Sequence, residues 1–268
     1  MTSVPPARPP LDPDRLADAA GLHVEVVAAA PSTNALVAER ARQGAAEGLV
    51  VVAEHQTSGR GRLDRTWETP DRAALTFSVL LRPEVSAARW PWLPLLTGYA
   101  VARALRAGGH DARLKWPNDV LLGPEERKVA GILVERIETP QGPAAVAGVG
   151  LNVSTLPEEL PVPTATSLMI GSGAEPDRNG LLLEVLRALR EEYDAWRAGD
   201  GTALRAAYLS ACATVGRDVR VELPGGRRLV GPATGIDAGG RLVVAGADGE
   251  MAVGAGDVVH VRPVAGDE

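Results

Sequence analysis

The sequence predicts a mixed α/β domain followed by a small β-barrel. Up to about residue 212, short runs rich in Val, Leu and Ala ("LVVVA", "ALTFSVLL", "AAVAGVGLNV") alternate with segments of helical spacing. The clearest of those is "DRNGLLLEVLRALREEYDAWR" from Asp177, which places Leu182, Leu186, Leu189, Tyr193 and Trp196 on one stripe. Beyond that point helical spacing stops. Short alternating strands then follow one another across Gly-Gly and Asp-Gly turns, the pattern of a small barrel. Three parts are therefore expected: a flexible tail over 1–22, a larger α/β unit over 23–213, and a barrel over 214–268.

Each element has its own local reason. The start, "MTSVPPARPP", is proline-rich and lacks an apolar signal core, hence the expected tail. "HVEVVA" (23–28) alternates as a strand does, and 31–44 reads as a helix capped by Ser32 or Thr33 and closed by Gly44. "LVVVA" (49–53) is a β-branched run suited to a strand buried on both faces. It feeds a long polar stretch without periodicity, 54–72, and then the strand "ALTFSVLL" (74–81). Residues 90–107 read as a buried helix. "ARLKWP" (112–117) reads as a strand stopped by Pro117, with "KVAGILVER" (128–136) as its hairpin partner across the Gly123-Pro124 turn. "AAVAGVGLNV" (144–153) is the next strand, and after the long helix a second one runs to about Cys212.

Composition excludes several function classes. A chain of 268 residues with 45% hydrophobic and 23% charged residues can bury a substantial core. Its net charge of −6 argues against bulk nucleic-acid binding, which needs a basic face. A single cysteine, Cys212, excludes an intramolecular disulfide and a multi-cysteine zinc site, and the 4 histidines show no metal-ligand spacing. No apolar window reaches the roughly eighteen residues of a membrane span. A cytoplasmic location without membrane contact is expected.

Three stretches carry candidate chemistry. "GRGR" (59–62), with Arg65 and Trp67, sets arginine forks and glycines between two strands. Such forks match carboxylate or phosphate oxygens, although a solvated surface loop has the same composition. The second is "KWPNDVLLGPEERK" (115–128). Lys+Arg totals 28, yet Lys115 and Lys128 are the only lysines, one at each end of this turn. Lysine is a compact point charge that arginine does not replace at a single oxygen. Asp119 between them suits Mg²⁺ beside phosphates, or equally an Asx turn. The third is "GVGLNV" (148–153), whose strand glycines mark either close approach of a ligand or relief of packing.

Taken in order, "STN", "QTSGRGR" followed by Trp67, "KWPND", "KVAGILVE" and "GVGLNV" resemble the biotin–protein ligases, and the C-terminal strands fit that family too. The resemblance implies a class II aminoacyl-tRNA synthetase-like mixed sheet followed by an SH3-like barrel, in a form without the N-terminal DNA-binding domain. It also implies that ATP and biotin give biotinyl-5'-AMP with Mg²⁺, and that biotin then passes to a lysine of a biotin carboxyl carrier domain. By resemblance Lys128 sits where biotin carboxylate meets α-phosphate, with Arg62 and Asp119 beside it. Ser32, Thr33, Asn34, Gln56, Arg60, Gly61, Arg62 and Gly131 would surround biotin. Arg65, Trp67, Asn118 and Asn152 would surround the nucleotide, and Asp119 would hold Mg²⁺ or orient the acceptor lysine. Leu63 and Asp64 depart from the basic residue and glycine usual after GRGR. The rival readings are a lipoate-type ligase on the same fold and a non-enzymatic regulator that binds biotinyl-AMP.

Overall fold

In chain order the elements begin with α1 (Pro13–Leu16), a single turn whose N-cap Asp12 accepts from the N–H groups of Asp14 and Arg15. β1 (Asp18–Ala19) and β2 (Leu22–Ala30) lead to α2 (Thr33–Arg42), capped by Ser32, whose Oγ accepts from Ala35 N–H in the first turn. β3 (Leu49–Gln56) follows, then a small hairpin of β4 (Gly59–Arg60) and β5 (Thr66–Trp67), then β6 (Ala74–Leu81). α3 (Trp92–Ala107) precedes four strands: β7 (Ala112–Lys115), β8 (Asp119–Leu122), β9 (Arg127–Thr139) and β10 (Gly142–Asn152). The helices α4 (Leu168–Ser172), α5 (Arg178–Ala198) and α6 (Thr202–Ala211) come next. The chain ends in β11 (Asp218–Glu222), β12 (Arg228–Ile236), β13 (Leu242–Gly246), β14 (Gly249–Val253) and β15 (Asp257–His260). The structure, a computed structural model, describes residues 7–62, 65–174, 176–223, 228–247, 249–254 and 256–260.

Eight strands form one mixed sheet in the order β1-β2-β3-β6-β10-β9-β8-β7, with only β2 and β3 parallel. The period-2 geometry of a strand sorts its side chains between two cores. Val50, Val52, Phe77, Val79, Ala145 and Ala147 join α3 and α5 on one side. Val51, Leu80, Ala144, Val146 and Ile137 meet Val37, Ala38 and Ala41 of α2 on the other. α2 covers only part of its face. Beyond the helix start, the same face continues as Ser78 of β6, Gly148 and Gly150 of β10, and Gly131 and Leu133 of β9, which pair in register. The functional cavity opens where the helix stops covering the sheet.

β11 to β15 form a five-stranded antiparallel sheet ordered β14-β13-β12-β11-β15. Two tryptophans of the larger unit hold its 237–241 turn: Trp92 Nε1 donates to Ala238 O at 2.8 Å and Trp116 Nε1 to Gly240 O at 3.0 Å. Among the described residues no helix is long and apolar enough to cross a membrane.

Two expectations are corrected here. The expected tail is packed from Arg8 onward, because it has partners. Leu11 and Leu16 are buried, Leu11 N–H donates to Glu54 Oε1 at 2.6 Å, and Arg8 pairs with Glu159 and donates to Ser154 O. Residues 1–6 lie outside the described set. The hairpin partner of β7 is β8, not 128–136, and the Gly123-Pro124 turn joins β8 to β9. Only four residues separate the turn residues Pro117-Asn118 from that second turn, so "DVLL" carried too short an apolar run to read as a strand.

Candidate active site

The floor of the cavity is built from buried polar groups that satisfy one another. Thr33 and Asn34 open α2 and are almost wholly buried. Thr33 N–H donates to Gln56 Oε1 at 2.9 Å, and Ser78 Oγ lies 2.7 Å from Thr33 Oγ1 and 2.6 Å from Asn34 Oδ1. Asn34 Nδ2 donates to Glu135 Oε2 at 2.7 Å and to Leu133 O at 3.2 Å, which fixes the amide's orientation. Glycine is required beneath this network. A Cβ on Gly148 would lie 2.1 Å from Asn34 Oδ1, and one on Gly150 would lie 2.4 Å from the Trp67 indole.

The roof is the β4–β5 hairpin and carries the cations. Arg60 pairs with Glu135 at 3.0 Å. Arg62 donates to Asn118 Oδ1 at 3.0 Å and to Gly256 O at 3.4 Å, while Arg65 pairs with Asp257. Burial pulls the Arg62 guanidinium below its usual range, against the opposing pull of Asp119 and Asp257. The hydrogen bond to Asp257 raises Arg65. Trp67 lies over the glycines, and its indole N–H is buried with no hydrogen-bond partner among the described residues. Lys128 stands at the end wall. Its Nζ is 2.7 Å from Asp119 Oδ1 and 5.7 Å from the Trp67 ring centre. Floor, roof and wall enclose about 120 Å³. Ligand pockets usually hold about 300–1,000 Å³. The same hairpin also lines a larger open cleft of about 900 Å³ with Trp116, Pro117, Leu133 and Glu135, so a longer ligand has room to continue there.

The Biotin/lipoate A/B protein ligase family matches residues 26–152, and the Biotin protein ligase C terminal domain matches residues 214–261. The Biotin--[acetyl-CoA-carboxylase] ligase of Mycobacterium tuberculosis is 43% identical over 274 residues, spanning 98% of this chain and 100% of that protein. The chain belongs to the biotin–protein ligase family. Further similarity runs to the Bifunctional ligase/repressor BirA of Bacillus subtilis, 31% identical over 85% of this chain and 70% of that protein. The biotin protein ligase of Aquifex aeolicus in complex with biotin and ATP is 28% identical, with a TM-score of 0.76 over 89% of this chain and 98% of that one.

Against the biotin–protein ligase reading of the sequence, one cavity gathers Ser32, Thr33, Asn34, Gln56, Arg60, Gly61, Arg62, Arg65, Trp67, Asn118, Asp119, Lys128 and Gly131. Asn152 is not among them. It is 4% exposed, and its Nδ2 donates to Thr166 O at 3.0 Å, so its amide holds the segment beside Lys128 instead of facing the cavity. Lys115 also stays outside. It pairs in register with Asp119, and its charge acts on His260. Leu63 and Asp64 lie outside the described residues. Sequence reasoning missed Ser78, Glu135 and Asp257. Ser78 had a signal, a hydroxyl in the middle of the apolar run "ALTFSVLL"; Glu135 closed a quoted motif without being given a role. Asp257 comes from the distant C-terminal sheet, and nothing local marks it.

Proposed function

We propose that this chain joins biotin to ATP and then passes biotin to a lysine of a biotin carboxyl carrier domain belonging to a biotin-dependent carboxylase. The observation that carries the proposal is the meeting of four cations with a sealed polar floor. Lys128, Arg60, Arg62 and Arg65 line one cavity with Thr33, Asn34 and Gln56, and the fully buried Ser78 backs those residues by bonding Thr33 and Asn34. In the first step a biotin carboxylate oxygen forms a bond to the α-phosphorus, and the bond from that phosphorus to the bridging oxygen of pyrophosphate breaks. Two anions have to approach in line, so fixed cations at the junction stabilise the transition state more than the separate ligands. Lys128 supplies that charge, and Arg62 serves the same junction from the roof. In the second step the carrier amine attacks the acyl carbon, AMP leaves, and the amine loses a proton. In this reading Asp119, on the end wall, orients that amine.

The floor suits the ureido head of biotin, because Thr33, Asn34 and Gln56 offer both donors and acceptors at a dead end. Trp67 suits the nucleotide, whose acceptors would take its orphaned N–H. Mg²⁺ carried in with the phosphates would neutralise their charge. The carboxylates available to it here are Asp119 and Asp257, each already ion-paired, and among the described residues no three His, Cys, Asp or Glu side chains converge. That donor set fits an ion held mainly by phosphates and water, the usual manner of Mg²⁺. Residues 23–213 are read as the catalytic unit and 214–268 as the appended one, in a cytoplasmic enzyme.

Pyrophosphate release measured in parallel with biotin, with lipoate and with no acid tests the reading. Release with biotin alone is expected. Release with lipoate only would move the chain to lipoate chemistry, and binding of biotinyl-AMP without release would make it a regulator.

A further inference from the structure

We propose that the Glu126–Arg217 ion pair positions Lys128, tying the turn before it to the C-terminal sheet. The proposal rests on the adenylation reading above. Lys128 is the second residue of β9, directly after the turn at 123–126. Its main chain is held on one side, with N–H donating to Thr164 O at 2.8 Å and C=O accepting from Thr166 N–H at 2.8 Å. The turn that feeds it is not relaxed. Glu126 has φ +50°, the left-handed region that residues with a Cβ avoid. Asparagine or glycine would be the ordinary choice there.

The carboxylate accounts for the exception. Arg217 Nη1 donates to Glu126 Oε2 at 2.6 Å and Nη2 donates to Oε1 at 2.5 Å, a two-pronged pair. Arg113 of β7 adds a second cation at 3.7 Å. The Glu126 side chain is only 17% exposed, so solvent screens this pair less than one between two fully exposed groups. Arg217 is anchored in turn, since its carbonyl accepts from Ala233 N–H of β12 at 2.8 Å. The connection runs from β12 through Arg217 to Glu126, and two residues further to Lys128. Misplacing a reacting group by about 1 Å can cost on the order of 10²-fold in rate. A strained residue locked by a fork sets where β9 begins, and so where the Lys128 ammonium can reach.

The test uses the full-length protein and two variants, Arg217→Met and Glu126→Gln, each checked by thermal melting to be folded. The first readout is labelling by a small amine-reactive ester, resolved by mass spectrometry. With only two lysines in the chain, Lys128 is read cleanly against the N-terminal amine. Both variants should raise Lys128 labelling severalfold. The second readout is single-turnover pyrophosphate release. It should fall about tenfold while biotin affinity changes less than about twofold, with Arg217→Lys in between because a point charge cannot form the fork. In a Lys128→Ala background the Arg217→Met penalty should disappear. Unchanged labelling, or the same penalty without Lys128, would overturn the proposal. Raised labelling in a protein whose wild type releases no pyrophosphate would instead keep the positioning and discard the adenylation reading.

Discussion

The two halves of the cavity are built on opposite principles. Thr33, Asn34 and Ser78 of the floor are buried, and the floor spends its polar groups internally: Thr33 on Gln56, Asn34 on Ser78 and Glu135. The roof arginines are half-exposed and spend theirs on carboxylates and amides that a ligand can replace. Arg60 and Arg65 keep 52% and 61% of their side-chain surface open. A buried network holds one geometry, because any rearrangement strands a polar atom. An exposed pair exchanges partners at little cost. The floor is therefore expected to select the ligand and the roof to respond to it.

Lys128 belongs to neither half, and removing it should produce the largest effect. Lys128→Ala should slow adenylate formation by about 10²–10³-fold, the usual loss when one preorganised charge-stabilising group is taken away. Biotin affinity, measured by titration, should change far less. Near-normal turnover would remove Lys128 from the junction.

Gly148→Ala attacks the floor. The new Cβ would stand 2.1 Å from Asn34 Oδ1, and Asn34 is pinned by three partners. Overpacking of this kind costs about 1–3 kcal/mol. It should appear as roughly tenfold or greater weakening of biotin binding, with ATP binding altered less. Equal weakening of both would mean that floor and roof are not separate.

The roof's outer anchor, Asp257, shares β15 with His260. Burial, with Lys115 and Arg217 nearby, pushes His260 down from 6.5 to about 4. Its ring lies 3.1 Å from Thr214 Oγ1, which in turn accepts from Trp116 N–H. A depressed histidine is neutral when folded and takes up a proton more readily when released. Stability is therefore level above pH 6.5, falls as pH drops from 6.5 towards 4, and levels again below. Thermal melts across that range should show the slope, and His260→Gln should flatten it. An unchanged slope would place the responsible group elsewhere.

How much of this was legible depended on distance along the chain. The floor's Thr33, Asn34 and Gln56 sit in short stretches whose caps and strand patterns are local, and the glycines of "GVGLNV" announced a close approach that turned out to be Asn34 and Trp67. β8 was missed because four residues between two turns carry little periodicity. The ordering of the N-terminal segment was missed because Arg8 and Leu11 find partners at Glu159 and Glu54, far away in sequence. Asp257, Arg217 and Asn152 failed for the same reason: their roles are set by contacts between elements, which composition and spacing do not encode.

The smallest energies concern the roof itself. Arg60–Glu135 and Arg65–Asp257 are exposed pairs worth about 0–1 kcal/mol each. Phosphate and carboxylate oxygens of a bound adenylate offer stronger charge-assisted bonds to the same forks. Incoming ligand should therefore take the arginines from their present partners and draw the hairpin down with them. Trypsin cuts after arginine and so reports on this directly. Cleavage after Arg60, Arg62 and Arg65 should be fast in the free protein and suppressed with biotin and ATP. Biotin alone should protect partially, because it engages the floor but brings no phosphate to the roof. Glu135→Gln sharpens the comparison from the other side. It weakens the one carboxylate that holds both Arg60 and the floor's Asn34, so it should speed cleavage after Arg60 in the free protein and also lower the protection that biotin alone gives. Equal cleavage with and without ligands would show that the hairpin is as fixed as the floor beneath it.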